Sequence, residues 1–462
     1  MHYQQGKVSR SAFRAYDIRG IINKDLDEHS FYTIGLGIAY YLGQLGRKDI
    51  FIARDARLTS QYLAQALKQG LLDSGIHVVD LGEVATPVMY YATNTQDIDS
   101  GLMVTGSHNP ADYNGIKMVL AGKTLTEKDI TRLYEYIEQK QRLFGEGQEE
   151  LRSILPAYRE RIVSDVALKK PLKVVVDCGN GVAGPEVPQV LRALGCDVIP
   201  LYCDIDGRFP NHHPDPTVEA NLSDLKQAVL AHQADIGLAF DGDADRLGVI
   251  TNQGEIIWPD RLMMFYARAL LQHHPKATIV FDVKCSSHLA KVIETSGGIA
   301  RMCPTGHSIV KAVMREEQAL LAGEMSGHLF FKDRWYGFDD ALYSACRLLE
   351  IIAASPLSVD EQFATIPNSI NTPEIKIPIS DEEKFVFMQQ FIQLAQFPEA
   401  RMITIDGLRV ELANGWGLLR ASNTTPCLVA RFEADDQPGL RQIQALFKEQ
   451  IQQVNSSLTI PF

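Results

Sequence analysis

Asp49-Ile-Phe-Ile-Ala-Arg-Asp55 is an apolar strand pattern that ends in an acid, and the pattern recurs twice along the chain. It precedes a helical pattern from Thr59 to Ser74, then Gly75 and a second strand, Ile76 to Asp80. Lys173-Val-Val-Val-Asp177 is followed in the same way by a helix around Pro185 to Leu194, Gly195 and a strand from Asp197 to Tyr202. Thr278-Ile-Val-Phe-Asp282 repeats the order, with a helix near Ser287 to Thr295, Gly297-Gly298 and a strand to Met302. Strand, helix, glycine, strand is the βαβ pattern of a parallel or mixed sheet.

Each unit then reaches another apolar strand that runs into a polar loop. Gly101-Leu-Met-Val104 leads to Thr105-Gly106-Ser107-His108-Asn109-Pro110. Ile236 to Phe240 leads to Asp241-Gly242-Asp243-Ala244-Asp245-Arg246, and Ala319 to Ala322 leads to Gly323-Glu324-Met325-Ser326-Gly327-His328. Ligand sites of open α/β sheets gather at strand ends, so three such domains side by side are expected to aim their loops into one cleft. The segment after Pro367 differs. Its strands lie around Glu374 to Ile379, Gly407 to Leu412 and Val429 to Glu433, with an Asn414-Gly415 hairpin turn and a closing helix from Leu440 to Val454. The expected fold is therefore three similar mixed-sheet α/β domains, over 1–154, 155–256 and 257–367, and a smaller α+β domain over 368–462.

A net charge of −12 disfavours nucleic acid and anionic membranes as partners. An anionic substrate would need a local cluster of bases acting against the overall field. The seven cysteines are scattered without a Cys-x-x-Cys pair, which suggests neither a zinc site nor a disulfide framework but thiols in a reducing compartment. The first residues lack an apolar signal core and no stretch is long enough to span a bilayer, so a cytoplasmic location is expected.

In the serine loop, Gly106 allows a sharp turn at the strand end and Pro110 stops regular continuation. A serine at such a corner is expected to be pushed out of the sheet into solvent. The hexapeptide alone reads equally as a polar turn or as a reactive serine beside His108. In the next loop, Asp241, Asp243 and Asp245 are separated only by glycine and alanine. Three hard oxygen donors in so short a span suit Mg²⁺ or Ca²⁺ rather than zinc. An EF-hand would need glycine at the sixth position and an acid at the twelfth, where this chain has Arg246 and Asn252. Glu324 and Ser326 suit vicinal sugar hydroxyls, and His328 a proton; a capped turn is the alternative. Arg420-Ala421-Ser422-Asn423-Thr424-Thr425 follows the Trp416 to Leu419 segment and offers a guanidinium, hydroxyls and an amide to a phosphate, or is a polar surface loop. Arg14 and Arg19, which bracket Tyr16-Asp17, and Lys117, Lys284 and His307 flank these loops and can supply local positive potential.

These motifs in this order, from Arg14-Ala-Tyr-Asp-Ile-Arg-Gly20 to Arg420-Ala-Ser-Asn-Thr424, resemble the α-D-phosphohexomutase superfamily, and within it the bacterial phosphomannomutase/phosphoglucomutase branch. The resemblance covers nearly the whole chain and implies four domains around a deep cleft. It implies that Ser107 is phosphorylated in the active enzyme and that Asp241, Asp243 and Asp245 hold Mg²⁺ with a phosphoserine oxygen as a further ligand. It places Arg19, His108, Lys117 and Arg246 around the phosphoserine, and Tyr16, Lys284, His307 and His328 at the substrate. Glu324 and Ser326, flanked by Met325 and Gly327, would read the sugar, and Arg420, Ala421, Ser422, Asn423 and Thr424 would hold the phosphate that is not reacting.

The implied reaction moves a phosphoryl group between C1 and C6 of mannose or glucose phosphates, through hexose 1,6-bisphosphate as intermediate and activator. His328, Lys117 and Arg19 are the candidates for the general acid/base. Small hexose phosphates are the expected partners, and a monomer is expected with a homo-oligomer left open. The nearest alternative is a phosphoglucosamine mutase, an activity whose family members usually carry glutamine where Met325 stands. A sugar-phosphate hydrolase and a non-catalytic sugar-phosphate binding protein are the others. Ala244 stands where the family often has glycine, a change that adds no polar group.

Overall fold

The computed structural model describes residues 3–423 and 425–462. The chain divides into two compact units, Met1–Pro259 with Ser326–Ala364, and Asp260–Met325 with Thr365–Phe462.

The first unit holds two mixed sheets. In the first, Asp49–Arg54 lies between His77–Glu83 and Gly101–Val104, parallel to both, and Tyr113–Leu120 adds antiparallel to Gly101–Val104. In the second, Lys173–Asp177 lies between Asp197–Leu201 and Ile236–Phe240, again parallel to both, and Leu247–Thr251 adds antiparallel. The second unit repeats the parallel part: Thr278–Asp282 lies between Ile299–Cys303 and Leu321–Gly323. The recurring apolar run is thus the central strand each time. It is buried on both faces because helices cover parallel strands, which explains its uninterrupted apolar character. The loops bearing Ser107, Asp241 and Glu324 each leave the C-terminal end of the neighbouring parallel strand.

The second unit also contains an antiparallel sheet in the order Ile370–Asn371, Cys427–Ala434, Gly415–Ala421, Leu408–Leu412, Arg401–Ile403, with Ile375–Pro378 also on Cys427–Ala434. Helices Asp381–Leu394 and Gln437–Val454 bury Phe387, Phe391, Ile443 and Phe447 against it. Two details differ from the sequence expectation. Leu412 pairs with Gly415, so the hairpin turns at Ala413-Asn414 rather than Asn414-Gly415. Gly415 belongs to the strand because its φ of +155° and the close approach of the Glu433 carbonyl leave no room for a side chain. Arg420 and Ala421 likewise lie within the strand Gly415–Ala421, not in the loop beyond it.

Among the described residues no helix is long and apolar enough to cross a membrane.

Candidate active site

Asp55, the acid that ends the first repeat's strand, anchors the serine loop. Its Oδ2 accepts from Thr105 Oγ1 at 2.8 Å and from the Gly106 amide at 3.1 Å, and Thr105 Oγ1 in turn accepts from the Ser107 amide at 2.8 Å. This holds Ser107 at φ +48°, in the left-handed region that costs a non-glycine residue about 1–2 kcal/mol. The expectation of a solvent-exposed serine is corrected here, since Ser107 is 1% exposed. Strand geometry does push the side chain out of the sheet, but the aspartate loop closes over it. Ser107 Oγ lies 3.2 Å from Asp241 Oδ2 and 3.1 Å from His108 Nδ1.

The carboxylates of Asp241, Asp243 and Asp245 are fully buried and converge within 4.8 Å of one another. Asp241 Oδ1 accepts from the amides of Asp245 and Arg246 at 3.0 and 3.1 Å, which curls the loop so that alternate residues face the same point. The curl requires Ala244 at φ +60°. That left-handed backbone is the feature a glycine would adopt without strain at this position.

Lys117, on the strand Tyr113–Leu120, reaches into the cluster and donates to Asp243 Oδ2 at 2.6 Å and to Asp245 Oδ2. Burial opposes its charge, yet the surrounding aspartates raise its pKa and keep it an ammonium. Burial and then the Asp245 and Asp243 charges push the Asp241 carboxyl well above its usual range. Asp245, against the same burial, is held well below that range by Lys117 and His328. Asp243 Oδ1 is buried without a hydrogen-bond partner. A buried, all-oxygen cluster with an unsatisfied donor atom and more negative charge than one lysine balances fits a hard divalent cation.

His328 stands beside this cluster. Its Nε2 lies 3.2 Å from Asp245 Oδ1 and 3.3 Å from Arg246 Nε, and its Nδ1 lies 2.9 Å from Ser326 Oγ. Arg19 donates to Asp17 at 2.5 Å and to Asn109 Oδ1 at 2.6 Å, joining the N-terminal strand Ile18–Ile21 to the serine loop. His108 is half-buried, and desolvation with the nearby Arg246 and Arg19 charges lowers its pKa well below the usual value. Tyr16 lies close by in sequence and is half-buried. The first unit therefore gathers Ser107, His108, Arg19, Lys117, Arg246, Ser326, His328 and the three aspartates.

The second unit holds Lys284, His307, Glu324, Met325, Arg420, Ala421, Ser422 and Asn423, several of them paired with further acids. Asp282, the strand-end acid of the third repeat, accepts from the Met325 amide at 3.2 Å, as Asp55 does for the serine loop. Glu324 is buried and its Oε1 accepts from the Gly306 amide at 2.7 Å, next to buried His307 at the start of helix His307–Glu316. Lys284 Nζ donates to Glu374 at 2.6 Å. Arg420 Nε donates to Asp406 Oδ2 at 2.9 Å, and the same oxygen accepts from the Thr305 amide at 3.0 Å. Ser422 Oγ shares a 2.8 Å contact with Thr425 Oγ1, and Asn423 is half-buried. Thr424 lies outside the described residues. Gly327 belongs to the first unit, where its carbonyl accepts from the Leu247 amide at 3.2 Å.

Several residues of these clusters were not singled out from sequence. Thr86 Oγ1 donates to Asp243 Oδ2 at 2.5 Å from the N-terminus of helix Thr86–Thr95. Asp339 forms a second buried trio with Asp245 and His328. Arg57 is buried under the serine loop. None carries a local motif; the nearest signal is the Asp339-Asp340 doublet before an apolar helical run.

Known proteins match the chain over nearly its whole length. Residues 10–143, 156–254 and 258–369 match the α/β/α domains I, II and III of phosphoglucomutase/phosphomannomutase, and residues 374–450 match its C-terminal domain. A Pseudomonas aeruginosa protein named phosphomannomutase/phosphoglucomutase is 51% identical, over 98% of both chains. A Neisseria meningitidis phosphoglucomutase is 46% identical, over 96% of this chain and 97% of its own. The crystal structure of a Burkholderia thailandensis phosphoglucomutase/phosphomannomutase family protein superposes with a TM-score of 0.94 at 45% identity, covering 99% of this chain and 100% of that one. The repeated sheets, the four matched domains and these full-length relatives establish that the chain belongs to the phosphoglucomutase/phosphomannomutase family.

Proposed function

We propose that the chain is a phosphomannomutase/phosphoglucomutase, an isomerase that moves a phosphoryl group between C1 and C6 of mannose and glucose phosphates. Full-length relatives at 46–51% identity carry those names. The observation that carries the reading is a buried serine whose Oγ lies 3.2 Å from one carboxylate of a three-aspartate cluster. A serine hydrolase would pair such a serine with a general base that is itself oriented by an acid. Here Ser107 does meet a histidine, His108 Nδ1 at 3.1 Å, but it also faces a carboxylate cluster suited to a cation, which favours a phosphate carrier.

In this reading Ser107 bears a phosphoryl group. A hydroxyl of the bound hexose monophosphate attacks phosphorus, the bond to Ser107 Oγ breaks, and the hydroxyl proton passes to a base. The resulting hexose 1,6-bisphosphate reorients. Ser107 Oγ then takes the other phosphoryl group, and a proton returns to the sugar oxygen that leaves. Positioning and charge neutralisation dominate such a step. Lys117, Arg19 and Arg246 are fixed cations for it. Mg²⁺ held by Asp241, Asp243 and Asp245 would, when bound, add further neutralisation at the phosphoserine oxygens. Of the three candidates for moving the proton, His328 is favoured. Lys117 is held as an ammonium by two aspartates, and Arg19 is paired with Asp17.

The sugar would be read by Glu324 and Ser326. The non-reacting phosphate would fall to Arg420, Ser422, Asn423 and Thr424, with Tyr16, Lys284 and His307 as further contacts. Met325 supports mannose and glucose rather than glucosamine phosphates. A coupled assay with the three hexose 1-phosphates, a hexose 1,6-bisphosphate and Mg²⁺ is expected to show turnover of mannose and glucose; turnover of glucosamine alone overturns the reading. Ser107→Ala is expected to lose about a thousandfold or more in kcat while still binding glucose 1-phosphate by calorimetry, because the carrier is removed and the sugar contacts are not. Undiminished turnover would refute the carrier role.

A further inference from the structure

The backbone of the serine loop is turned inward to an unusual extent. Arg57 donates to the carbonyl of Ser107 at 2.7 Å, of Pro110 at 2.6 Å and of Tyr113 at 3.1 Å, and also to that of Asn109. His213 Nε2 meets the remaining carbonyl in the run, that of His108. Four successive carbonyls, 107 to 110, therefore all face donors supplied from outside the loop.

Arg57 is itself rigidly placed. It follows the strand Asp49–Arg54, its amide donates to Asp55 Oδ1 at 3.0 Å, and its backbone bridges to Gly207. Its guanidinium carbon lies 5.4 Å from the centre of the Phe209 ring, and the residue is 2% exposed. The nearest carboxylate, Asp55 Oδ2, is 3.5 Å from Nε, so the buried charge is solvated mainly by loop carbonyls. Surface ion pairing does not account for such an arginine, and a neutral core residue would serve packing at lower cost. A planar fork of donors does account for it, because it sets several acceptors in one plane at once.

We propose that Arg57 is a positioning residue, which holds Ser107 in reacting geometry by clamping the carbonyls of residues 107, 109, 110 and 113. The inference rests on Ser107 being the phosphoryl carrier. The left-handed conformation of Ser107 is the strained feature whose relaxation the clamp opposes. Without the clamp the loop relaxes and Oγ moves relative to Asp241, whereas the sugar contacts, on Glu324 and Arg420, are untouched.

Arg57→Lys keeps the charge but replaces the planar fork with a single ammonium, and Arg57→Gln keeps a shorter planar donor without charge. Both are to be assayed in the full chain with glucose 1-phosphate, glucose 1,6-bisphosphate and Mg²⁺. We expect kcat to fall about 10- to 100-fold in each, the cost of a sub-ångström to ångström misplacement, with KM within about threefold. Hydrogen exchange in the peptide spanning 105–113 should be accelerated, and that spanning 236–251 unchanged. A kcat within twofold of the parent, exchange that rises equally everywhere, or failure of both variants to fold would overturn the proposal. The intact mass of the parent protein, and the activity of Ser107→Ala, separate this from failure of the carrier reading. A phosphate on Ser107 with full activity in Arg57→Lys removes Arg57 alone, whereas an active Ser107→Ala removes the carrier and the clamp's purpose together.

Discussion

At the scale of single residues, Lys117 decides what the aspartate loop is. From sequence, three clustered aspartates repel and suggest only that a cation is required. In the fold, one ammonium already sits on two of them. Taking away one partner of a buried charge network costs about 3–5 kcal/mol, since the remaining charges stay buried. Lys117→Met is therefore expected to lower the thermal midpoint by several degrees in chelator, and millimolar Mg²⁺ to restore more of it than it adds to the parent. Equal Mg²⁺ shifts in the two proteins would contradict the shared role of ammonium and cation. Lys117 was legible as a base near the serine loop, through Asn114-Gly-Ile-Lys117. Its partners were not, because they lie 126 and 128 residues further along. Ala244 shows the reverse: its chemistry was readable, but its left-handed backbone appears only when the loop is seen to curl.

At the scale of elements, much was legible. The strands Gly101–Val104, Lys173–Asp177, Ile236–Phe240 and Thr278–Asp282, and the helix Ser287–Thr295, coincide residue for residue with the sequence reading. Each combines a clear period with glycine or polar punctuation. The hairpin at Ala413-Asn414 was displaced by one residue because the strongest turn-forming glycine is used for close strand approach.

Helix Ala341–Ala353 carries a further consequence. Asp340 caps it, accepting from the Tyr343 amide at 2.9 Å, and both its oxygens contact the Tyr158 hydroxyl at 2.9 Å. Burial raises its carboxyl to about 7. Between an unfolded value near 4 and the folded value, the folded chain holds one proton more than the unfolded chain. Stability from this group thus falls as pH rises across that window, by about 1.4 kcal/mol per unit. Unfolding free energy measured from pH 4 to 7 should lose this component of slope in Asp340→Asn. An identical slope in the variant would show that the carboxyl titrates normally.

At the scale of the molecule, each compact unit has its own apolar core. In the first, Phe31, Leu63, Leu67 and Ile116 pack in one such core, and Leu225, Val229 and Ile250 in another; in the second, Phe391, Leu419 and Phe447 form the corresponding centre. The second unit is also pinned by buried arginines: Arg409 donates to the carbonyls of Val283 and Cys285 at 2.7 Å, and its guanidinium carbon lies 3.8 Å from the centre of a Trp416 ring. Chains with separate cores depart from two-state unfolding. Scanning calorimetry is expected to give a calorimetric enthalpy above the van't Hoff value; equality would mean that the two units unfold as one.

The order of elements, the threefold repeat and the chemical character of each loop follow from residue type and spacing, because periodicity and turn chemistry act over a few residues. Burial of Ser107, the seat of Lys117 between Asp243 and Asp245, and the Arg57 clamp depend on side chains meeting across fifty to more than a hundred residues. No local pattern encodes such meetings. They arise when sheets and loops pack, and it is this packing that turns a polar corner into a buried, strained and charge-balanced centre.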